Sequence, residues 1–491
     1  MTTDPDRLAF FLNGANEDNK ADTRHPDLTP ETHTIRRAIP IINSLARLLV
    51  NENRQVVALT VLPPSDTQPC TRVIVSENTR IPKGALEHVV DILQSFYAVR
   101  QLVRQRTQST ESPTNYAIPE DIPHDTNDSL LSRLADIELK IYRYSWVKMH
   151  KRLTKSGRHI AFMRVCDVIM NPEGALRQRL SLVLQEKGLQ LQDPLLLRKV
   201  ETLRLVIDHL CVRLAQPSPD DDIHVVRIEL AGLTNLISSS PQADLVGAFT
   251  AIHTRVLQQE QVDFAYWFDK VLSTRKDFRQ LVGIVASPTL ENILTPTVSV
   301  MKTTPSPLPA EVPITADSLR SALEPMVVSD EELLENFLAN KFRSRRGQTV
   351  NIDGRIHCEC AVLAELDKQW RAGETIIPFI GVSKLSCSLC SYYFNAYRQV
   401  TFNNVRTRGS HAQSVPWRCP TLKDEVANEA VRERLCMRLK TLLVNKVEDY
   451  GVRVSTSSQS TTASGDELAP VEKLSTEATI DRIRAALGRS R

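Results

Sequence analysis

Four side chains and their spacing constrain this 491-residue chain more than anything else in it: His357-Cys358-Glu359, and then Cys387-Ser388-Leu389-Cys390. A His and a Cys-x-x-Cys pair that hold one ion must be brought to one point by whatever lies between them. Ile376 to Val382 is a short apolar, β-rich run that reads as a buried strand, and Cys387 then opens a helical pattern through Phe394. His357 likewise opens an amphipathic run through Ala361, Leu363, Ala364, Leu366 and Trp370, and residues 400–405 offer a further strand. Both groups of ligands therefore fall at helix N-termini, where backbone N–H groups and the helix dipole stabilise thiolate anions. Helix, strand, helix, strand predicts an α/β layer arrangement.

One His and two Cys suit Zn²⁺, and three protein ligands leave a fourth tetrahedral position for water. Two thiolates nearly cancel the charge of the metal, which then acidifies its water only moderately, so a carboxylate beside that water is needed to move its proton. Glu359, two residues after the His, is placed for this as the catalytic residue, with His357, Cys387 and Cys390 as metal ligands. In the competing arrangement Cys358, Cys360 or Cys419 supplies a fourth ligand and closes a structural site. Cys358 and Cys360 also read as small buried packing residues.

Residues from about Arg355 to Pro420 resemble the cytidine-deaminase superfamily, and within it an Orientia-type deaminase-like family abundant in fungi. The resemblance is carried by Arg355-Ile356-His357-Cys358-Glu359, by Gly381 to Cys390, and by Arg408-Gly409-Ser410-His411 with Trp417 and Pro420. It implies a three-layer α/β/α deaminase-like domain, a zinc cofactor and hydrolytic deamination by zinc hydroxide with Glu359 as proton shuttle. One departure is Ser386, where many superfamily members have Pro before the first zinc Cys. The resemblance also points to Asn78, just after a strand, as a sugar contact. His411 is given a substrate-side role, and Trp417 is either a stacking surface for a base or a lid over the core.

The rest of the chain divides by composition. Residues 1–34 are polar and predicted disordered. Residues 35–105 read as helix, β-hairpin (Val56–Leu62 and Thr71–Val75 about a Pro/Asp turn) and helix. Residues 106–287 form a large, mainly helical insertion or domain, in which Leu196, Val200, Leu203, Ile207, Leu210 and Leu214 step by four and three as a bundle seam. A Pro-rich linker is predicted at 288–318, the zinc deaminase-like domain at 319–450, and a low-complexity tail with a short helix at 451–491. Since 319–354 offers no convincing hairpin, the hairpin at 55–77 is expected to complete the deaminase sheet and carry Asn78 to the zinc.

Lys341 to Arg418 holds twelve Lys/Arg against five Asp/Glu, within a chain of net charge +3. That local excess favours a nucleotide or nucleic-acid substrate over a free base. Nine cysteines at irregular spacing do not form a disulfide framework, no signal peptide is legible, and no run is long enough to span a membrane. The chain is therefore expected in the cytoplasm or nucleus, with no membrane partner. The alternative to an enzyme is a catalytically idle, zinc-containing interaction or scaffolding protein that takes a protein partner through its helical region.

Overall fold

The computed structural model describes residues 4–15, 33–52, 55–78, 83–109, 122 and 127–459, the last stretch without 218, 221, 239–243, 288–289, 291–292, 304–309, 327–329 and 353. Strands β1 (Val57–Leu62) and β2 (Thr71–Glu77) are buried along their whole length. Strands of that kind need a cover on each face. They pair antiparallel from Val57↔Glu77 to Leu62↔Arg72. The remaining strands are β3 (Val298–Thr303), β4 (Glu311–Pro313), β5 (Thr349–Asn351), β6 (Phe379–Val382) and β7 (Arg406–Thr407). Their order is β3-β2-β1-β6-β7 in one mixed sheet, with β4 and β5 forming a separate pair.

Alternation along the strands sends side chains to two cores. Val57, Leu59, Val61, Val73, Val75 and Phe379 face a core shared with helices His33–Leu48, Lys83–Ser109 and Ser273–Ala286. Ala58, Leu62, Ile74, Ile380 and Val382 face the other, shared with helices Cys358–Arg371, Ser388–Thr401 and Glu425–Gln459. The hairpin at 55–77 and the strand between the ligand groups thus lie in the same sheet, with Ala58↔Val382 and Leu59↔Gly381 in antiparallel register. Gly381 matters here because a Cβ would come within 2.5 Å of the Ile42 carbonyl oxygen. The His33–Leu48 helix lies that close to β6, and the Asn43 side chain accepts a hydrogen bond from the Val382 amide at 3.3 Å.

The helices between 129 and 286 belong to the first core rather than standing apart from it. The seam Leu196, Val200, Leu203, Ile207, Leu210 and Leu214 is buried along helix Pro194–Leu214. Glu138 locks this bundle, accepting from Arg227 at 2.7 Å, Arg275 at 2.9 Å and the Tyr142 hydroxyl at 2.7 Å. Arg47 Nε donates to Asp277 at 2.7 Å, which ties the bundle to the sheet-covering helix.

Several expectations need correction. Within 1–34, residues Pro5–Gly14 form a helix capped by Asp4, and its Leu8, Phe11 and Leu12 enter the second core. That helix is anchored by Asp6, which receives Arg418 Nε at 2.7 Å and the Cys419 amide at 2.6 Å. The stretch 288–318 is more than a linker. β3 pairs parallel with β2 and β4 pairs with β5, because its prolines flank the run Val298–Thr303 instead of interrupting it. The strand expected at 400–405 starts only at Arg406, since helix Ser388–Thr401 runs on and ends at Phe402 in a left-handed conformation, φ 59°. Helix Glu425–Gln459 reaches beyond 450. The short helix expected further along the tail lies outside the described residues. Among the described residues no helix is long and apolar enough to cross a membrane.

Two outcomes follow from this packing. Gly381→Ala should lower the unfolding free energy by about 1–3 kcal/mol through overpacking against Ile42, measurable by urea denaturation. A 319–459 fragment lacks β1 to β4 and should show no cooperative thermal transition even with zinc added; a sharp transition would show that the segment folds without the hairpin.

Candidate active site

The sheet topology collects the site at one end. β6 ends at Val382, close to where β1 begins, and β2 ends beside that same point through Val57↔Glu77. β7 runs parallel to β6, so its exit toward His411 emerges at this end too. Ser383 extends the seam: its hydroxyl accepts from the Val57 amide at 2.9 Å, and its own amide donates to Val57 O at 2.9 Å.

His357 is the N-cap of helix Cys358–Arg371, and Cys387 is the N-cap of helix Ser388–Thr401. His357 Nδ1 lies 3.2 Å from Cys390 Sγ and 3.4 Å from Cys387 Sγ, and the two sulfurs are 3.4 Å apart. A tetrahedral zinc with bonds of about 2.0–2.3 Å would set these edges at about 3.6–3.8 Å. The donor set is therefore of the right chemistry and within a few tenths of an ångström of the right size. All three donor atoms lie within 4.8 Å of one another and form the one such group among the described residues.

The surroundings orient these ligands. His357 Nε2 lies 3.1 Å from the Pro416 carbonyl, which can only accept, so Nε2 carries the proton and Nδ1 turns to the sulfurs. The Cys390 amide donates to Cys387 Sγ at 3.4 Å. Burial pushes the Cys387 thiol up, but hydrogen bonds from Cys390 and His357 and the nearby imidazolium charge outweigh it and bring the pKa down to about 5. Burial likewise opposes charge on His357, yet its contacts with Cys387, Glu359 and Pro416 raise it to about 9. Cys390, wholly buried beside Cys360 and Cys387, is pushed well above the ordinary thiol range. These contacts favour a charged ring on His357 and a thiolate on Cys387, and a divalent metal on the same atoms would bind with release of protons.

Glu359 is buried in the first turn of its helix, and Cys358 Sγ donates to its Oε2 at 3.4 Å. Cys358 is thus a partner of the carboxylate and not a fourth ligand. Cys419 Sγ turns to the Pro420 carbonyl. Cys360 is fully buried in the core beside Cys390 and stands outside the three-atom group.

A cavity of about 490 Å³ opens over this cluster and is lined by Glu359, Asn78, His411, Arg355 and Lys384 as well as His357 and Cys387. Asn78 reaches it from the end of β2, where its Oδ1 accepts from the Val56 amide at 2.8 Å and its carbonyl accepts from Arg355 at 3.1 Å. The His411 amide donates to Ser386 O at 2.9 Å, and its Nδ1 accepts from the Gln413 amide at 3.2 Å. The Ser386 amide donates to Gly409 O at 3.0 Å, so Ser in place of Pro keeps an N–H that holds the His411 loop. Trp417 is a different case. It is 2% exposed, packs 6.2 Å from the Tyr393 ring and lies in the core, away from the cavity lining. Its backbone closes on Gly354, where a Cβ would meet Trp417 O at 2.6 Å. The base-stacking alternative for Trp417 is thereby set aside.

Arg355, Lys384 and the Pro416 carbonyl were not singled out as site groups from sequence. The first two flank the ligand motifs and offered charge as a signal; a backbone carbonyl offers none.

Residues 356–421 match the OTT_1508-like deaminase family, a deaminase family of the cytidine deaminase-like superfamily. No curated protein and no solved structure matches the chain. A deaminase-family segment and a His/Cys/Cys group able to hold a metal therefore coincide in one place.

Purified protein should carry about one zinc per chain, read by elemental analysis. The Cys387→Ser/Cys390→Ser double variant should lose it, and stoichiometric retention would exclude this site.

Proposed function

We propose that this chain is a zinc-dependent hydrolytic deaminase acting on a nucleobase in a nucleotide or nucleic acid, with a three-layer α/β/α deaminase-like catalytic region. The observation that carries the reading is the buried Glu359 carboxylate beside the His357/Cys387/Cys390 group, in a cavity of base-accepting size within the deaminase-family segment. Zinc, held by His357 Nδ1 and the two Cys sulfurs, would supply Lewis acidity toward the oxygen nucleophile.

The remaining work falls to the protein. Hydrolytic deamination consumes one water and releases one ammonia, so a proton given up by the water has to reach the departing nitrogen. Glu359 carries it, and the Cys358 thiol at Oε2 orients the carboxylate. Asn78 and His411 border the substrate from two different strand exits, while Arg355 and Lys384 bring positive charge to the cavity. Burial of the carboxylate helps twice: it excludes bulk water and fixes the proton acceptor before the substrate arrives.

Glu359→Ala should retain zinc and fold while ammonia release falls by at least ~10²-fold. The assay is a panel of nucleosides, nucleotides and single-stranded oligonucleotides. Metal and activity lost together would make Glu359 a ligand, and a wild-type protein inert on the whole panel would favour the idle scaffold instead.

A further inference from the structure

A second cavity, of about 470 Å³, lies beside the first, and Lys384 lines both. Eight Lys or Arg side chains line this second cleft, against one carboxylate, Glu52. They come from distant parts of the chain. Helix Ser129–Thr154 supplies Lys148, Lys151 and Arg152 near its C-terminal end, and the turn after it and the start of helix Arg158–Met170 supply Lys155 and Arg158. Lys270 comes from helix Phe264–Val271, Arg47 from helix His33–Leu48, and Lys384 from the exit of β6.

A solvated basic face normally interleaves acids, and here Glu52 is the one carboxylate in the lining, with Asp277 and Asp269 behind it. Asp277 pairs with Arg47 at 2.7 Å and also acts on Lys148 and Arg152, and Asp269 pairs with Lys276 at 2.6 Å and also acts on Lys270. Lys148 is buried and donates to the Arg47 carbonyl at 2.6 Å; burial, with Arg152 and Arg47 nearby, pushes its ammonium well below the ordinary lysine range despite Asp277. Concentrating like charges in a partly enclosed cleft is unfavourable unless an anion completes it.

Tyr266 indicates which anion. Its ring is half exposed in the cleft, with Lys270 Nζ 4.9 Å and Arg158 Cζ 5.8 Å from the ring centre. With Arg47 held by Asp277 and Lys148 buried, six cations remain, and a nucleoside monophosphate, which brings about two charges, would leave most of them unmatched. An aromatic face within a basic groove is the pattern that holds successive bases and phosphates of an unpaired strand. We infer that the helical region provides a single-stranded nucleic-acid track that runs past Lys384 into the Glu359 cavity. This rests on the deaminase reading only in taking the Glu359 cavity as the place where the target base enters. The helical region would then be the element that selects a polynucleotide over a free nucleotide.

The test is fluorescence anisotropy on the full-length zinc protein, with fluorescein-labelled single strands of about 12 nucleotides, one DNA and one RNA. Lys151→Glu/Lys155→Glu alters two exposed side chains, so folding, checked by circular dichroism, should be intact. Affinity for at least one of the strands should fall at least ~10-fold, and the slope of log K against log salt should become shallower by about 1.4, two single-strand phosphate contacts. Tyr266→Ala should weaken binding with little change in that slope. These results support the track whether or not ammonia is released, so a failure of the deaminase reading stays visible separately. Unchanged affinity and slope in the double Lys variant would overturn the inference. So would tight binding of inorganic tripolyphosphate by a protein that binds neither strand, which would make the cleft a compact polyanion site.

Discussion

The antiparallel contact between β1 and β6 joins residues more than 300 positions apart, and everything at the site hangs from it. The ladder itself is short: Ala58↔Val382 and Leu59↔Gly381. Hydrogen bonds worth about 0.5–1.5 kcal/mol net each would hold it weakly. Two further bonds through Ser383 and one from Thr60 Oγ1 to Phe379 O at 2.8 Å lengthen the seam. Burial contributes more than these bonds do. Leu59, Val61 and Phe379 enter one core and Ile380 and Val382 the other, each worth about 1.5–3 kcal/mol. Apolar burial on two faces thus sets the register, and the register places Asn78, Ser383 and the His411 loop around His357.

A second long-range tie closes the opposite side of the ligand region. Asp6 spans Arg418 and the Cys419 amide from the N-terminal helix, with both side chains nearly buried. Burial raises the Asp6 carboxyl above its ordinary range despite the Cys419 and Arg418 contacts, so the pair adds little net stability. Its effect is positional: it fixes the chain just after Pro416, whose carbonyl holds the His357 ring. The ring tautomer that suits a metal therefore depends on a segment at the far end of the chain.

What could be read from sequence divides along physical lines. The hairpin and the two ligand-bearing helices were legible because alternation, helical periodicity and fixed ligand spacing all act locally. β3 was obscured because Val298–Thr303 sits among prolines and hydroxyl residues, and its parallel pairing with β2 is a non-local event without a turn signal. The Pro5–Gly14 helix was hidden by length: ten residues seldom hold a helix alone, and Leu8 and Phe11 gain their burial only from the second core. The His411 and Trp417 segment marks the limit for side chains. Both lie in one irregular loop, and only the strand pairing determines that His411 borders the cavity while Trp417 packs on Tyr393.

The helical bundle is where a chemical reading of the motifs stops and a physical reading of the surface begins. The bundle docks on the sheet through Arg47–Asp277 and the shared core, and its basic helix ends line one cleft with Lys384. A helical region that served only solubility would have no need of a buried lysine or of cations converging from five separate places in the chain. Holding those charges together costs stability in the free protein. An anionic ligand would offset that repulsion, and Lys384, which lines both cavities, joins the wall of the bundle to the wall of the cavity over His357 and Cys387.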